Sequence, residues 1–179
     1  MESLRGQLLI AAPSLADFFR RTVVLIVQHG EDGAMGVVLN RPSEVSVADA
    51  VPPLADLVDP GELIWVGGPV SPTSAVVLAE FEDAEDAATV VIEHVGLVGL
   101  DDDPTDAPPR KRTRIFAGYA GWAPGQLEGE LEREGWIVEP ARPDDAFPTE
   151  EDDLWSVVLK RKGGNYALLA RMPVDPSLN

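Results

Sequence analysis

Two short stretches of the sequence combine residue types that could bind a small anion. Asn40-Arg41-Pro42 ends an apolar segment, and an arginine beside a rigid turn can hold a carboxylate or phosphate through two parallel hydrogen bonds. Gly67-Gly68-Pro69 could form a turn whose backbone N–H groups cradle an anion. The structural alternatives are a salt bridge that secures the first turn and a tight turn, without a ligand, at the second.

A third stretch, residues 118–128 (GYAGWAPGQLE), contains glycines, two amphipathic aromatic residues and a predicted helix start. Glycine lets two backbones approach closely, and tyrosine and tryptophan can form a wall with polar tips. One interpretation is a binding surface, and the other is a sharp strand-to-helix corner in which Trp122 fills the core. The binding candidates here are Gly118, Tyr119, Gly121, Trp122, Gln126 and Glu128.

No catalytic constellation is readable in the sequence. The chain has 0 cysteines, which excludes thiolate catalysis, disulfides and cysteine-ligated metals. It has no G-x-S-x-G motif, and its two histidines, His29 in a predicted loop and His94 at a strand end, have no visible partner. We therefore predict no catalytic residue and no cofactor.

Two acidic clusters could in principle bind a cation. Asp101-Asp102-Asp103 and Asp106 resemble the start of a calcium loop, but Asp106 occupies the sixth position, where that loop requires glycine. The acidic residues 150–153 crowd the N-terminus of a predicted helix, where the helix macrodipole stabilises negative charge. We predict no metal site.

The net charge of −17 argues against binding to nucleic acid, because phosphate contacts are made by lysine and arginine. The dense basic cluster, Arg110-Lys111-Arg112 with Arg114, fits either a solvated strand edge or a phosphate-binding patch. The apolar run at residues 23–27 is far shorter than the roughly 20 residues of a membrane helix. No targeting segment is visible, and we expect a cytoplasmic protein without membrane contact.

The order of predicted elements favours a single α+β domain over residues 1–179. Strands are predicted at residues 7–12, 22–27, 35–40, 63–66, 75–79, 89–93 and 114–119. A short helix capped by Ser46, a helix over residues 124–134 and a helix from Thr149 to Lys162 complete the set. Strands and helices do not alternate regularly, which is typical of a mainly antiparallel sheet.

Taken together, these stretches resemble the YqgE/AlgH family of bacterial proteins. The resemblance rests on an ordered set that spans nearly the whole chain: residues 6–11 with Pro13, residues 33–42 (GAMGVVLNRP), residues 67–70 (GGPV), residues 118–128 with Glu130, Trp136, Leu154-Trp155, and the chain end at residues 175–179. The acidic, proline-rich insert at residues 101–109 and the extreme net charge depart from the family pattern.

The resemblance implies one α+β domain with a small barrel-like antiparallel sheet flanked by helices. It implies no reaction, although some members carry a transcriptional-regulator label. Our leading hypothesis is a non-catalytic binding or regulatory module that recognises a protein partner or a small anionic ligand. The alternative is an enzyme for an anionic or nucleotide-like substrate, with Arg41 as anion clamp and Glu128 as base or metal ligand. Direct DNA binding ranks last because of the charge.

Overall fold

The computed structural model describes residues 2–15, 17–99 and 107–172. Its strands are β1 (Gln7–Ala11), β2 (Val23–Gly30), β3 (Gly33–Val38), β4 (Pro42–Ser46), β5 (Leu63–Val66), β6 (Val70–Phe81), β7 (Thr89–Ile92), β8 (Val95–Leu97), β9 (Arg110–Trp122) and β10 (Trp136–Pro140). The α-helices are α1 (Val47–Ala50), α2 (Gln126–Glu132), α3 (Leu154–Lys162) and α4 (Asn165–Leu169). Short 3₁₀ turns lie at Asp17–Phe19, Pro52–Leu57, Ala84–Asp86 and Pro143–Ala146.

The strands form one mainly antiparallel sheet in the order β10-β1-β2-β3-β9-β6-β8-β7. Beside this path, β4 pairs with β5, and β5 pairs in parallel with β9. Within the part of the chain that the structure describes, no strand pairing joins β10 to β7. The predicted α+β fold with a mainly antiparallel sheet and flanking helices is confirmed, and the sheet is open rather than a closed barrel.

Strand β9 connects the two halves of the sheet. Its length lets it pair with β6 from Arg110 to Tyr119, with β5 at Phe116 and Ala117, and with β3 from Ala120 onward. The sequence predicted only its middle portion, since the flanking basic and glycine-rich residues are poor strand formers and become a strand through their neighbours.

The apolar runs of β1 and β2 are explained by burial on both sheet faces. Leu8 and Leu25 pack into one core cluster, whereas Leu9 and Val24 pack into another on the opposite side. Helix α3 covers the first face, where the indole N–H of Trp155 donates to the carbonyl of Ala11 at 2.8 Å. Each such fully buried apolar side chain contributes about 1.5–3 kcal/mol of burial free energy.

Several elements differ from the sequence prediction. Strands β4, β8 and β10 and helix α4 were not predicted. Helix α3 begins at Leu154, with Asp153 as its N-cap, rather than near Thr149. The cause is local, because the carboxylate of Asp152 accepts the N–H of Thr149 at 2.8 Å and closes a separate turn before the helix. The predicted cap at Ser46 is present, since its hydroxyl accepts the N–H of Asp49.

Candidate functional site

Asn40 lies just beyond β3 and is bonded to the neighbouring chain segment through both ends of its amide. Its Oδ1 accepts the N–H of Val23 at 3.0 Å, and its Nδ2 donates to the carbonyl of Arg21 at 2.9 Å. These two hydrogen bonds therefore extend the β2–β3 pairing beyond the last backbone pair. Both partners belong to the backbone, so Asn40 fixes the end of the strand.

Arg41 is held by a carbonyl and an aromatic ring. Its Nη2 donates to the carbonyl of Arg20 at 2.8 Å, and its guanidinium carbon lies 5.1 Å from the centre of the Phe18 ring. Burial lowers the pKa of Arg41. Among the described residues no carboxylate forms a salt bridge with Arg41, so the predicted ion pair is absent. The contacts with Arg20 and Phe18 instead hold Arg41 in place before the exposed Pro42.

The segment Gly67-Gly68-Pro69 packs its two glycines against β9. The N–H of Gly67 donates to the carbonyl of Ala117 at 2.9 Å, so it is not open to an anion. A Cβ added to Gly68 would lie 2.0 Å from the carbonyl carbon of Tyr119. The glycines thus permit close contact between two backbones, and only Pro69 of the three residues is exposed.

Strand β9 contains three of the candidate binding residues, Gly118, Tyr119 and Gly121. Gly118 has φ = +74° and lies where the register with β6 shifts between Val70 and Ala75. That left-handed conformation is readily adopted by glycine and produces the irregularity in the strand. Tyr119 is half-buried against the core, whereas Gly121 is exposed.

Trp122 is a core residue whose polar tip meets a shared carboxylate. Only 6% of its surface is exposed. Glu130 Oε1 accepts the indole N–H of Trp122 at 3.3 Å and that of Trp136 at 3.0 Å. The amide of Gln126 donates to the other oxygen of Glu130 at 3.1 Å, and its own oxygen accepts the N–H of Ala123 in the turn before α2. The aromatic corner is therefore satisfied by internal hydrogen bonds.

Glu128 meets His29, which the sequence offered without a partner. The side chain of His29 lies in β2 and is only 4% exposed. Its Nδ1 accepts the backbone N–H of Leu4 at 2.9 Å, so in the neutral ring Nε2 carries the proton and donates it to Glu128 Oε1 at 2.7 Å. That hydrogen bond is the main cause of the lowered pKa of Glu128. Both ring nitrogens are thus engaged.

A row of aromatic side chains, rather than a pocket, lies between Arg41 and Trp122. Beyond the contact of Arg41 with Phe18, the ring centres of Phe18 and Phe19 lie 5.1 Å apart, those of Phe19 and Trp136 5.6 Å, and those of Trp136 and Trp122 6.1 Å. Each pair is edge-to-face, the arrangement that aromatic quadrupoles favour. The row packs as a layer beneath the surface.

A cleft of about 620 Å³ lies elsewhere, along the first half of β9. The basic cluster forms one side of this β9 cleft, and the 3₁₀ turn Pro52–Leu57 with the residues after it forms the other. Its charged lining residues are Asp56, Asp59, Glu62, Arg110, Lys111, Arg112 and Arg114. The sequence indicated the basic cluster but not the cleft; the signal was the arginine at every second position from 110 to 114.

Two arginines of the β9 cleft lie over aromatic rings. The guanidinium of Arg112 is 4.5 Å from the ring centre of Phe147, and that of Arg114 is 4.1 Å from the ring centre of Trp65. Arg112 also forms salt bridges with acidic side chains, Glu80 at 3.1 Å and Asp144 at 3.0 Å. These contacts hold both side chains in fixed positions.

Arg114 has unused hydrogen-bonding capacity. Its Nη1 donates to the carbonyl of Pro148, but its buried Nε has no hydrogen-bond partner in the described residues. Desolvation is the main cause of the lowered pKa of Arg114, while Glu62 and Glu150 act in the opposite direction. Arg114 also borders a second cleft of about 310 Å³ beside Trp65.

In residues 2–15, 17–99 and 107–172, no three histidine, aspartate or glutamate side chains are grouped so that they could hold a metal ion. The acidic cluster at residues 101–106 lies outside the described residues, as does the chain end at residues 175–179. In the same ranges, no helix has both the length and the apolar character needed to cross a membrane.

An open, mainly antiparallel sheet flanked by a few helices makes this an α+β protein, and comparison identifies the family. The AlgH-like family model (DUF179) matches residues 8–167, so the chain belongs to this family. It is 43% identical to a UPF0301 protein of Streptomyces coelicolor over 187 residues, which cover 100% of this chain and 97% of that protein. A UPF0301 protein of Mycolicibacterium smegmatis is also 43% identical, over 97% of this chain and 90% of its own length.

Two solved structures share the fold. The crystal structure of a protein from Corynebacterium diphtheriae is similar with a TM-score of 0.86 and 33% identity, over 95% of this chain and 92% of that one. The solution structure of the AlgH protein from Pseudomonas aeruginosa is similar with a TM-score of 0.72 and 31% identity, over 96% and 95%. The family resemblance inferred from the sequence motifs is confirmed.

Proposed function

We propose that this protein is a non-catalytic binding module that recognises an anionic group, on a protein partner or a small ligand, in the β9 cleft. The observation that carries the proposal is the pair of guanidinium groups, Arg112 and Arg114, held over aromatic rings at the cleft. Guanidinium groups positioned in this way can donate hydrogen bonds to carboxylate or phosphate oxygens without first losing side-chain freedom.

The charge distribution inside the cleft supports an anionic ligand. In the described part of the chain, no carboxylate forms a salt bridge with Arg110, Lys111 or Arg114. Arg110 instead donates to carbonyl groups, one of them that of Leu57 across the cleft. A buried donor without an acceptor, such as Nε of Arg114, is unfavourable, and an anion nearby would stabilise the charge.

The contacts of His29 and Glu128 support a role without catalysis. A general base needs a free lone pair and a pKa near the working pH, but His29 uses both ring nitrogens and the pKa of Glu128 is lowered. The carboxylate of Glu130 is likewise engaged by two indole groups. A purified activity that disappears in Glu128→Gln would overturn this part of the proposal.

A regulatory role would act through such a partner or ligand. With a net charge of −17, the chain as a whole repels phosphate backbones, so we propose no direct contact with DNA. Regulation of transcription, the label given to some relatives of the YqgE/AlgH type, would then be indirect. We place this activity in the cytoplasm.

Calorimetric titration with inorganic pyrophosphate and with citrate tests the proposal. We expect wild type to bind at least one of these probes, and Arg114→Met and Lys111→Gln to weaken that binding about tenfold or more. Arg133→Met is the matched control, because Arg133 is exposed at the end of α2 and does not line the cleft. Circular dichroism verifies folding of each variant. If neither probe binds, or if Arg133→Met loses as much as Arg114→Met, the proposal fails.

A further inference from the structure

The backbone of β6 determines which residues of β9 have free hydrogen-bonding groups. The carbonyl of Val77 accepts the N–H of Val98, and the N–H of Phe81 donates to the carbonyl of His94, each at 2.9 Å. Val77 and Phe81 therefore direct their backbone groups toward β8. Since N–H and C=O groups alternate sides along a strand, Leu78 and Glu80 direct theirs toward β9.

Leu78 lies opposite Arg114 and Glu80 lies opposite Arg112. These two arginines thus bond to β6 through their backbones, and Thr113 between them directs its N–H and C=O to the other edge of β9. The carbonyl of Ala117 follows the same alternation, because it accepts the N–H of Gly67 on that other edge.

The edge beside Thr113 has no strand partner in the described residues. Strand β5 pairs with β9 only at Trp65 opposite Phe116 and at the next position. Upstream of β5 the chain turns away, since the N–H of Glu62 donates to the carbonyl of Asp59 and its carbonyl accepts the N–H of Val47. The first half of β9 is therefore an edge strand, although β9 runs through the middle of the sheet.

This open edge faces the β9 cleft. All residues from 110 to 114 line it, and a continuous run of lining residues means that the strand edge itself, not only one set of side chains, forms the wall. Unpaired N–H and C=O groups in a row are a template for another extended chain.

We propose that this edge of β9 binds an extended segment of a partner protein as an added strand, with carboxylate side chains at alternate positions. The inference rests on the proposed anion-binding role of the cleft and names its ligand. Arg112 and Arg114 project from the same face about 7 Å apart, twice the rise of a strand residue. An added strand has the same spacing, so every second side chain meets this basic face.

The opposite face of the added strand would meet different chemistry. Thr113 projects there, and the guanidinium of Arg110 donates to its hydroxyl and to the carbonyl of Leu57. Because these donors of Arg110 already have acceptors, the intervening residues of the partner segment need carry no charge, and valine suits an extended chain. A segment of the type Glu-Val-Glu-Val-Glu satisfies both faces, whereas a free small anion would leave the strand edge unpaired.

Amide exchange first tests the edge in the free protein. The N–H of Thr113 should exchange at least tenfold faster than those of Arg112 and Arg114, which bond to β6. Equal protection of the three amides in a monomer would overturn the inference. If instead size-exclusion chromatography shows a dimer with Thr113 protected, the edge is occupied by a second copy of the chain and the inference is also wrong.

Fluorescence anisotropy with labelled peptides then tests the binding mode. The probes are Glu-Val-Glu-Val-Glu, its Lys-Val-Lys-Val-Lys counterpart, and two versions of the first peptide that are N-methylated at the glutamate or at the valine amides. We expect the acidic peptide to bind, the basic one to bind at least tenfold more weakly, and one N-methylated version to lose at least tenfold. Binding should also slow exchange at the Thr113 amide.

Failure of the inference is distinguishable from failure of the proposed function. If both N-methylated peptides bind as well as the parent, or if no peptide binds while pyrophosphate or citrate still does, the cleft recognises charge without strand addition. The strand-addition proposal is then wrong and the anion-binding role stands. Arg133→Met again serves as the control that should retain peptide binding.

Discussion

The Nε2 atom of His29 lies 2.7 Å from Oε1 of Glu128, across 99 positions of sequence. The contact ties the end of β2 to helix α2, and the hydrogen bond from Leu4 to the other ring nitrogen adds the N-terminal segment to the same junction. The imidazole ring thus connects three parts of the chain through hydrogen bonds.

The first prediction concerns the pH dependence of this junction. The His29 hydrogen bond lowers the pKa of Glu128 in the folded state, so its stabilisation is present above the unfolded value near 4.5 and is lost as pH falls through the folded value. Wild type should be more stable than Glu128→Gln at pH 7, and this difference should shrink below about pH 4.5. Urea denaturation of both proteins from pH 7 to 3 measures it. A difference that is the same at every pH would show that the carboxylate charge is irrelevant.

The second prediction concerns Trp122 as a core residue. Trp122→Ala should cost about 3–5 kcal/mol, because it removes a buried aromatic side chain and leaves a cavity. Glu130→Ala should cost about 1–3 kcal/mol, because two indole N–H groups lose their acceptor. Chemical denaturation gives both values. Glu132→Ala, exposed on the same helix, is the control and should stay within about 0.5 kcal/mol of wild type.

A third prediction compares two glycines. Gly68→Ala should prevent folding or lower the melting temperature severely, since the added methyl group would meet the backbone of Tyr119 at 2.0 Å. Gly129→Ala should instead stabilise by about 0.5–1 kcal/mol, because Gly129 lies inside α2 with open space around it. Thermal denaturation separates the two outcomes, and a well-folded Gly68→Ala would refute the close contact with β9.

The fourth prediction concerns Asn40. Asn40→Ala should destabilise by about 1–3 kcal/mol, because the N–H of Val23 and the carbonyl of Arg21 both lose their partner. Asn40→Asp keeps the oxygen that accepts the N–H of Val23 but removes the amide donor. Its loss of stability should therefore come from the carbonyl of Arg21, which no longer receives a hydrogen bond. Urea denaturation at neutral pH gives the free energies of unfolding. Full stability of the alanine variant would mean that water replaces the amide without cost.

The sequence predicted the elements whose signals are local. Strand β5 and the Ser46 cap were read correctly, because a short apolar run and a capping hydroxyl each act within a few residues. Strand β10 was missed because its partner is β1, at the other end of the chain, where Gln7 lies opposite Pro140. Its residues become a strand through a distant neighbour and not through their own propensity.

The candidate site was less predictable for the same reason. The motif at Trp122 was recognised, but its interpretation depends on Glu130 receiving a second indole group from Trp136, which sequence spacing does not reveal. The basic cluster at Arg112 and Arg114 was also recognised, whereas the cleft beside it arises only because the chain turns away before β5. The sequence thus shows which residue types are present, but not which of them lie close together in the fold.

The pairing of β1 with both β2 and β10 also has a consequence for biosynthesis. Strand β2 leaves the ribosome soon after β1, but β10 follows about 125 residues later, a delay of roughly 6–25 s at 5–20 residues per second. Throughout that time one edge of an almost entirely apolar strand has no partner. The nascent chain is therefore exposed to aggregation until synthesis is nearly complete, and we expect its folding yield in the cell to depend on chaperones that bind extended apolar segments.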